Sequence, residues 1–169
     1  FIFINWDTHP IYLALTFLII PLFREVHFYF MHRLLHWPPL YNFCHYVHHK
    51  NINPGPWSGM SMHWFEHIVY LSGVLIHFIV PSHPAHAIFQ LFHAGITPAF
   101  HGHIGIEKIQ IGKISINTFT QPHYLHHKYF ECNYADGSVP LDKYFGTLHD
   151  GSEEAQERMM KRYKERMKK

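Results

Sequence analysis

The chain has 169 residues, the size of one domain, and a formal net charge of only +2. Seven of its fourteen lysines and arginines lie in the last twelve residues, so no basic surface for nucleic acid is expected on the folded part. Two cysteines, Cys44 and Cys132, are too few for a disulfide framework and favour a reducing, intracellular compartment. Because the chain begins at Phe1, we expect it to be a piece of a longer protein that lacks an N-terminal part.

Three apolar stretches predict long hydrophobic helices. The first covers residues 11–23 and continues into an aromatic run, the second covers residues 68–80, and the third covers residues 85–100. The prolines Pro81 and Pro84 predict a turn that makes the second and third stretches a helical hairpin. A helix of about 20 apolar residues can cross a bilayer, although shorter stretches also fit the buried helices of a soluble α domain. We expect the membrane alternative.

The remaining segments are polar. Residues 102–122 predict a loop or a short strand, and residues 133–151 predict turns. Ser152 predicts the N-cap of a final helix, which has acidic residues in its first turn and basic residues in its last. We therefore predict an all-α, membrane-embedded helical bundle with a histidine-rich cap, formed by residues 1–151 and followed by a basic C-terminal helix over residues 152–169.

Nineteen histidines are the main compositional feature, and six of them form two matching triplets. Residues 45–50 read HYVHHK, and residues 123–128 read HYLHHK. Positions i, i+3 and i+4 share one face of a helix, so each triplet can bind one ion or share a pair of ions. The triplets are His45, His48 and His49, and His123, His126 and His127.

Two further pairs have the i, i+4 spacing of neighbouring helical turns. One is His32 and His36, with His27 as a weaker neighbour, and the other is His63 and His67, with Glu66 between them. Histidine-rich helices also occur as pH sensors, but many buried neutral imidazoles need cations to satisfy their lone pairs. We expect the isolated histidines to have structural roles; these are His9, His77, His83, His86 and His149.

The number of imidazoles bears on the number of ions. A structural zinc site takes four ligands, so eight or more histidines indicate two ions. Imidazole suits zinc, copper, iron and nickel, and the spacing of the histidines does not choose between iron and zinc.

The array HRLLH, HYVHH and HYLHH resembles the three histidine boxes of the membrane-bound fatty acid hydroxylase and sterol desaturase superfamily. The segments NPGPWSGMSMHWFEH (residues 53–67), GHIGIEK (residues 102–108) and HHKYFECNYADGSVPLDKYFGTLHDG (residues 126–151) also resemble parts of its bacterial members. The likeness covers about residues 24–151. The boxes correspond to His32 and His36, then His45, His48 and His49, then His123, His126 and His127.

The resemblance implies a ninth metal ligand between the second and last boxes. His103 is the best match, and His93 and His101 are less certain candidates. His27, His63 and His67, which are candidates from their helical spacing, are also less certain ligands. Many members have Asn-Tyr-Gly where this chain has Asn133, Tyr134 and Ala135. That change is costly only if Ala135 needs a left-handed backbone.

The resemblance also implies an integral membrane enzyme with two iron ions on the cytoplasmic side, where zinc could substitute for iron. Such an enzyme uses O₂ to hydroxylate or desaturate a lipid C–H bond. No Gly-x-Gly-x-x-Gly run is present, so electrons would come from a separate reductase, ferredoxin or cytochrome b-type protein. Polar side chains should fix the imidazole tautomers, and the candidates are Glu66, Asn133, Asp136 and Asp142.

Two alternatives remain open at this point. One is a zinc-dependent membrane hydrolase that uses Glu66 or Asp136 as its base. The other is a non-enzymatic metal transporter or sensor with a histidine-rich site. Transporters usually place ionisable ligands inside membrane spans, whereas both triplets here lie in polar segments beside the apolar stretches.

Overall fold

The computed structural model describes residues 2–168, without the side chains of residues 99 and 100. Phe1 and Lys169, the outer ends of the two predicted domains, lie outside these residues. The described chain is mostly helical, as predicted. Its elements are α1 (Pro10–Leu35), α2 (Pro38–Leu40), a π-helical segment (Tyr41–His45), α3 (Tyr46–His49), a 3-10 helix (Pro56–Met60), α4 (Trp64–Leu71), a second 3-10 helix (Ser72–Phe78), α5 (Pro84–Phe100), β1 (Lys108–Ile111), β2 (Ile114–Asn117), α6 (Thr120–Tyr129), α7 (Leu141–Tyr144) and α8 (Glu153–Met167).

Helix α1 contains the first apolar stretch and has two different faces. It begins with Pro10, whose fixed φ suits the first helical position, and its 26 residues are about 39 Å long. The large side chains that it exposes include Ile11, Leu18 and Leu22, whereas two charged residues near its middle, Arg24 and Glu25, are buried. Within residues 2–168, α1 is the one helix that is long and apolar enough to cross a membrane. Only 28% of its apolar 18-residue stretch is buried inside the protein.

The second and third apolar stretches form the predicted hairpin. The second continues from α4 into the 3-10 helix over residues 72–78, and the chain turns before Pro84 starts α5. Gly73 allows this arm to pack closely, because a Cβ there would lie 3.1 Å from the side chain of Gln90 and 3.2 Å from that of His27. Helix α5 has 17 residues, about 25 Å, and α4 has 8, so neither reaches the roughly 30 Å of a bilayer core. That these two stretches cross the membrane stays a prediction.

A β-hairpin is the departure from an all-α fold. Strands β1 and β2 pair antiparallel, with Ile109 opposite Ile116. Their sequences, KIQI and ISIN, alternate β-branched and polar residues, which favours strand over helix. Gly112, with φ of 59°, provides the left-handed backbone of the two-residue turn. Of the two alternatives for residues 102–122, the structure has the short strand.

The C-terminal helix starts where the sequence predicts. The Ser152 hydroxyl accepts a hydrogen bond from the Ala155 amide at 3.2 Å, which caps α8. Ala155 and Met159 face inward, and Arg166 forms an ion pair with Glu131 at the end of α6. Helix α8 is thereby held against the last histidine-bearing helix. Its status as a separate domain stays a prediction.

Candidate metal centre

Nine buried histidines converge in two groups. In each group, every residue offers one possible ligand atom, and these atoms lie within 4.8 Å of one another. The five-histidine group comprises His32, His36, His45, His49 and His126, and the four-histidine group comprises His48, His103, His123 and His127. These are the nine histidines for which the sequence predicts metal ligation, so the structure brings the whole set together.

Each triplet contributes to both groups. His45 and His49 belong to the five-histidine group, whereas His48, between them on the helix, belongs to the other. The last triplet is divided in the opposite sense. His126 belongs to the five-histidine group, whereas His123 and His127 belong to the four-histidine group. Of the two alternatives for the triplets, the geometry therefore favours a shared pair of ions.

The imidazole Nε2 atoms have the spacing of metal ligands. In the five-histidine group, the Nε2 atoms of His36, His45 and His49 lie 3.0 to 3.2 Å apart. In the other group, the Nε2 atom of His123 lies 3.1 Å from those of His103 and His127. A metal–nitrogen bond of about 2.1 Å gives ligand separations of roughly 3.0 to 3.4 Å at octahedral or tetrahedral angles.

The opposite ring nitrogens fix the tautomers that metal binding requires. Nδ1 of His32 donates to the Tyr134 carbonyl at 2.8 Å, and Nδ1 of His126 donates to the Cys132 carbonyl at 2.7 Å. Nδ1 of His45 lies 2.7 Å from Oε1 of Glu66. Because a carbonyl can only accept, Nδ1 of His32 and Nδ1 of His126 carry the hydrogen, and the Nε2 atom of each ring presents a lone pair. His45 has the same tautomer when Glu66 is a charged carboxylate. Several lone pairs directed at one point repel one another unless a cation lies between them, so these residues fit a pair of metal ions.

Burial keeps these rings neutral. Removal from water lowers the pKa of His126 far below its usual range, and it lowers the pKa of His127 to about 3, with neighbouring histidines adding to both effects. Burial also raises the pKa of Glu66 to about 8. A cation held by His45 would favour the charged carboxylate and strengthen the contact between Glu66 and His45.

Three of the four predicted tautomer-fixing residues act differently from the prediction. Glu66 contacts a histidine of the groups, but Asp142 instead accepts hydrogen bonds from the amides of Tyr134 (2.9 Å) and Ala135 (2.8 Å). Asn133 donates to the carbonyls of Pro122 and His149, both at 2.9 Å, and Asp136 pairs with Arg24. Asn133 and Asp142 thus hold the turn that presents the carbonyls of residues 132 and 134.

Sequence reasoning missed these two carbonyls. A backbone carbonyl acquires its role from the path of the chain, and no residue type marks it in the sequence. Asn133 has φ of 52°, in the left-handed region that Asn tolerates, whereas Ala135 is not among the residues with positive φ. The replacement of Gly by Ala at position 135 therefore costs no backbone strain.

The five less certain candidates lie outside both groups. His27 bonds through Nε2 to the Ser72 hydroxyl at 3.1 Å, and His63 caps α4 by accepting from the Phe65 amide at 3.2 Å. His67 is partly buried on α4. His93 and His101 line a separate cavity between α1 and α5.

The isolated histidines have structural contacts, as expected of them. His86 bonds through Nε2 to the Leu13 carbonyl at 2.9 Å, and His149 bonds to Gln156 at 3.0 Å. His83 caps α5, His77 bonds to Ser82 at 2.9 Å, and His9 contacts Thr8 at 2.8 Å.

Comparison with known proteins identifies the family. The fatty acid hydroxylase family model matches residues 17–147, a segment that includes all nine histidines of the two groups. The chain belongs to the fatty acid hydroxylase family. Its relatives include sterol desaturases, so the resemblance of its boxes to the fatty acid hydroxylase and sterol desaturase superfamily is confirmed.

Three relatives illustrate the range of the family. A Delta(7)-sterol 5(6)-desaturase of Gibberella zeae is 29% identical over 138 residues, which are 80% of this chain and 42% of that protein. A Delta(7)-sterol-C5(6)-desaturase of Nicotiana tabacum is 29% identical over 161 residues, which are 92% of this chain and 56% of that protein. Methylsterol monooxygenase 1 of Gallus gallus is 28% identical over 122 residues, which are 70% of this chain and 41% of that protein.

The chain thus spans about half the length of the curated relatives that it matches. No solved structure matches this member of the family.

Proposed function

We propose that this chain is the metal-binding part of a membrane-bound, non-haem di-iron oxygenase. It would hydroxylate or desaturate a C–H bond of a sterol or fatty-acyl lipid, using O₂ and electrons from a separate donor protein. The observation that carries the proposal is the pair of adjoining histidine groups, in which buried, neutral imidazoles direct their Nε2 lone pairs at two points.

The nine histidines would hold two ions, one in each group. Two ferrous ions bound there would supply the activation of O₂ needed to oxidise an unactivated C–H bond. The protein's part is to hold the ligands rigidly and to limit access of water. Tyr134 and Cys132, through their carbonyls, and Glu66 orient three of the five rings in one group.

A lipid substrate is supported by the names of the relatives and by the surface of the protein. The relatives are sterol 5(6)-desaturases and a methylsterol monooxygenase. Large apolar side chains are exposed on α1, at the end of the 3-10 helix over residues 72–78, and on α5. Examples are Leu18 (71% exposed), Ile79 (73%) and Phe92 (67%). Apolar exposure on this scale marks a surface that contacts lipid or protein rather than water.

The position of the histidines relative to α1 supports a site at the membrane surface. His32 and His36 lie at the C-terminal end of α1, whereas the exposed apolar residues extend back to Ile11 near its start. We propose that α1 crosses the bilayer with its C-terminal end on the cytoplasmic side. A C-terminal tag should then be cleaved by protease in inside-out vesicles and protected in right-side-out vesicles.

Exchange of the metal tests the reaction. Purified protein with ferrous iron, a reductant and a lipid extract should consume O₂ and yield a hydroxylated or unsaturated lipid. Zinc has no redox chemistry, so zinc-loaded protein should yield no such product. Product formed under argon with zinc bound would instead indicate the hydrolase. Stable iron binding without O₂ uptake would indicate the sensor or transporter.

A further inference from the structure

The β-hairpin has one apolar face and one polar face. Ile109 pairs with Ile116, and Ile111 pairs with Ile114. Side chains alternate along a strand and paired residues project to the same side, so the four isoleucines share one face. The opposite face carries the polar residues of both strands, which are Lys108, Gln110, Ser115 and Asn117.

The isoleucine face is uncovered. Every residue of both strands is exposed, and Ile111 and Ile114 are 61% and 65% exposed. In the part of the chain that the structure describes, the sheet has no third strand. A two-stranded hairpin is marginally stable in water at best and needs packing on its apolar face for independent stability. The clustered, exposed isoleucines therefore indicate a docking surface.

The hairpin connects two residues of the four-histidine group. His103 precedes β1, and His123 follows β2 on α6. The base of the hairpin is fixed beside these histidines, because the Gly102 amide donates to the Thr118 carbonyl at 3.0 Å. The isoleucine face therefore belongs to the metal-binding end of the molecule.

The helices α1 and α5 approach this end side by side. His86, near the start of α5, bonds to the carbonyl of Leu13, near the start of α1, at 2.9 Å. Further along the two helices, Leu22 and Ile96 line the same cavity. Both helices therefore run in the same direction, and the chain passes from α5 into the hairpin at the end where α1 carries its metal ligands.

Exposed tryptophans mark the same end of the apolar helices. Trp37 follows the end of α1 and is 57% exposed, and Trp64 begins α4 and is 63% exposed. Trp64 lies one helical turn from Glu66, which contacts His45. Tryptophan is enriched where a membrane meets water. These positions put the bilayer surface at the level where the hairpin begins.

The size and composition of the hairpin favour lipid over a protein partner. Its face measures about 13 Å by 10 Å, far less than the roughly 800 Å² that each partner buries in a standard protein interface. Residues 108–117 include no aromatic residue and no arginine, the types that dominate protein interfaces. They include two lysines and no acidic residue, which suits anionic phospholipid headgroups.

We propose that the hairpin docks on the bilayer, with its four isoleucines among the acyl chains and with Lys108 and Lys113 at the headgroups. The inference rests on the proposed crossing of the bilayer by α1 and adds a second contact, which enters only the leaflet on the metal-binding side. Docking would hold the flanking residues His103 and His123 at the bilayer surface.

The test measures what surrounds a label on each face of the hairpin. Cys44 and Cys132 are buried, so a new cysteine can be labelled with the fluorophore NBD, and the unsubstituted chain controls for background labelling. The label would be placed at Ile111→Cys, Ser115→Cys or Leu18→Cys in the zinc-loaded full chain. Nanodiscs of phosphatidylcholine and phosphatidylglycerol would each hold a single copy. Nitroxide-bearing lipids quench the label from within the bilayer, and iodide quenches it from water.

The isoleucine face should contact lipid, and the polar face should contact water. Nitroxide lipids should quench the label at Ile111→Cys more strongly than iodide does, and the order should reverse for Ser115→Cys.

Two added double variants test whether the isoleucines are responsible. Ile109→Thr/Ile116→Thr keeps β-branched side chains, which favour a strand, but makes the face more polar. It should shift quenching of the label at Ile111→Cys from nitroxide lipids to iodide. The matched control Gln110→Thr/Ser115→Thr alters the polar face and should leave the quenching unchanged. Zinc content equal to that of the wild type shows that the histidine groups remain intact.

Three outcomes would overturn the inference. In the first, iodide quenches the label at Ile111→Cys more strongly than nitroxide lipids do. In the second, the label is shielded from both quenchers, which would place protein over the isoleucines. In the third, quenching by lipid survives Ile109→Thr/Ile116→Thr, so that the label itself rather than the isoleucines inserts.

The label at Leu18→Cys separates this inference from the proposed function. Lipid quenching there, combined with iodide quenching at Ile111→Cys, would remove the docking of the hairpin and leave the crossing by α1 standing. The reverse pattern would refute the crossing by α1 and leave the docking standing. Absence of O₂ uptake in the iron-loaded protein would refute the oxygenase without changing either result.

Discussion

Two glycines with the same backbone angle allow the geometry of one histidine group to be tested. Gly102 and Gly105 both have φ of +76°. A Cβ added at Gly105 meets no atom within 4 Å, whereas a Cβ added at Gly102 would lie 2.5 Å from Cγ of His123. The two alanine variants therefore share the backbone strain and differ in the displacement of a histidine.

The magnitudes follow from these distances. A left-handed conformation costs an alanine about 1–2 kcal/mol in either variant. Carbon atoms pack at about 3.5–4.0 Å, so His123 must move by roughly 1 Å in Gly102→Ala. Overpacking of this kind adds about 1–3 kcal/mol to the loss of stability. A metal ligand tolerates only about 0.2 Å, so the four-histidine group should lose its ion.

Metal analysis and thermal unfolding of the two variants in detergent would measure these effects. Gly105→Ala should keep the full iron content of the wild type. Gly102→Ala should keep half of that content or less, should lose lipid oxidation, and should unfold at a lower temperature than Gly105→Ala. Equal iron content and equal stability in the two variants would refute the assigned position of His123.

Four further results are expected. His48→Ala and His126→Ala should each lower the iron content and abolish turnover, and full metal with full turnover in either variant would contradict the shared centre. Glu66→Gln keeps a hydrogen-bond acceptor and should bind metal better than Glu66→Leu, which should lose about 10- to 100-fold in affinity by competition with a chelator. Burial lowers the pKa of His127 to about 3, whereas an unfolded histidine has a pKa of about 6.5. As the pH falls, the unfolded chain therefore binds a proton at a higher pH than the folded chain does, and the metal-free protein should lose stability between pH 6.5 and 3. A constant unfolding midpoint between pH 7 and 4.5 would contradict this. Ser152→Ala should cost about 0.5–2 kcal/mol in unfolding without changing the iron content, and a loss of iron would show that α8 supports the metal groups directly.

The local helical pattern of the histidines was predictable from the sequence. The i, i+4 spacing of His32 and His36 and the two triplets predict which side chains share a helix face, and the structure places all eight, with His103, in the two groups. The N-cap at Ser152 was predictable for the same reason, because a cap depends on residues within one turn.

The division of the histidines between the groups was not predictable. The helical spacing in the sequence indicates that His48 and His49 project towards a common region. The packing of separate helices decides which of the two groups each residue joins. The pairing of Asp136 with Arg24 joins residues 112 positions apart, and no local pattern indicates it. The carbonyls that hold His32 and His126 depend in the same way on a turn that folds around Asp142.

The opposite division of the two triplets has a consequence for assembly. Helices α3 and α6 each carry ligands for both groups, so neither group can form while either helix is out of place. The first ion to bind would immobilise both helices and thereby pre-arrange the second group, which would then lose less conformational entropy on binding. We therefore expect the two ions to load cooperatively, so that a titration passes from empty to doubly filled protein with little of the singly filled form.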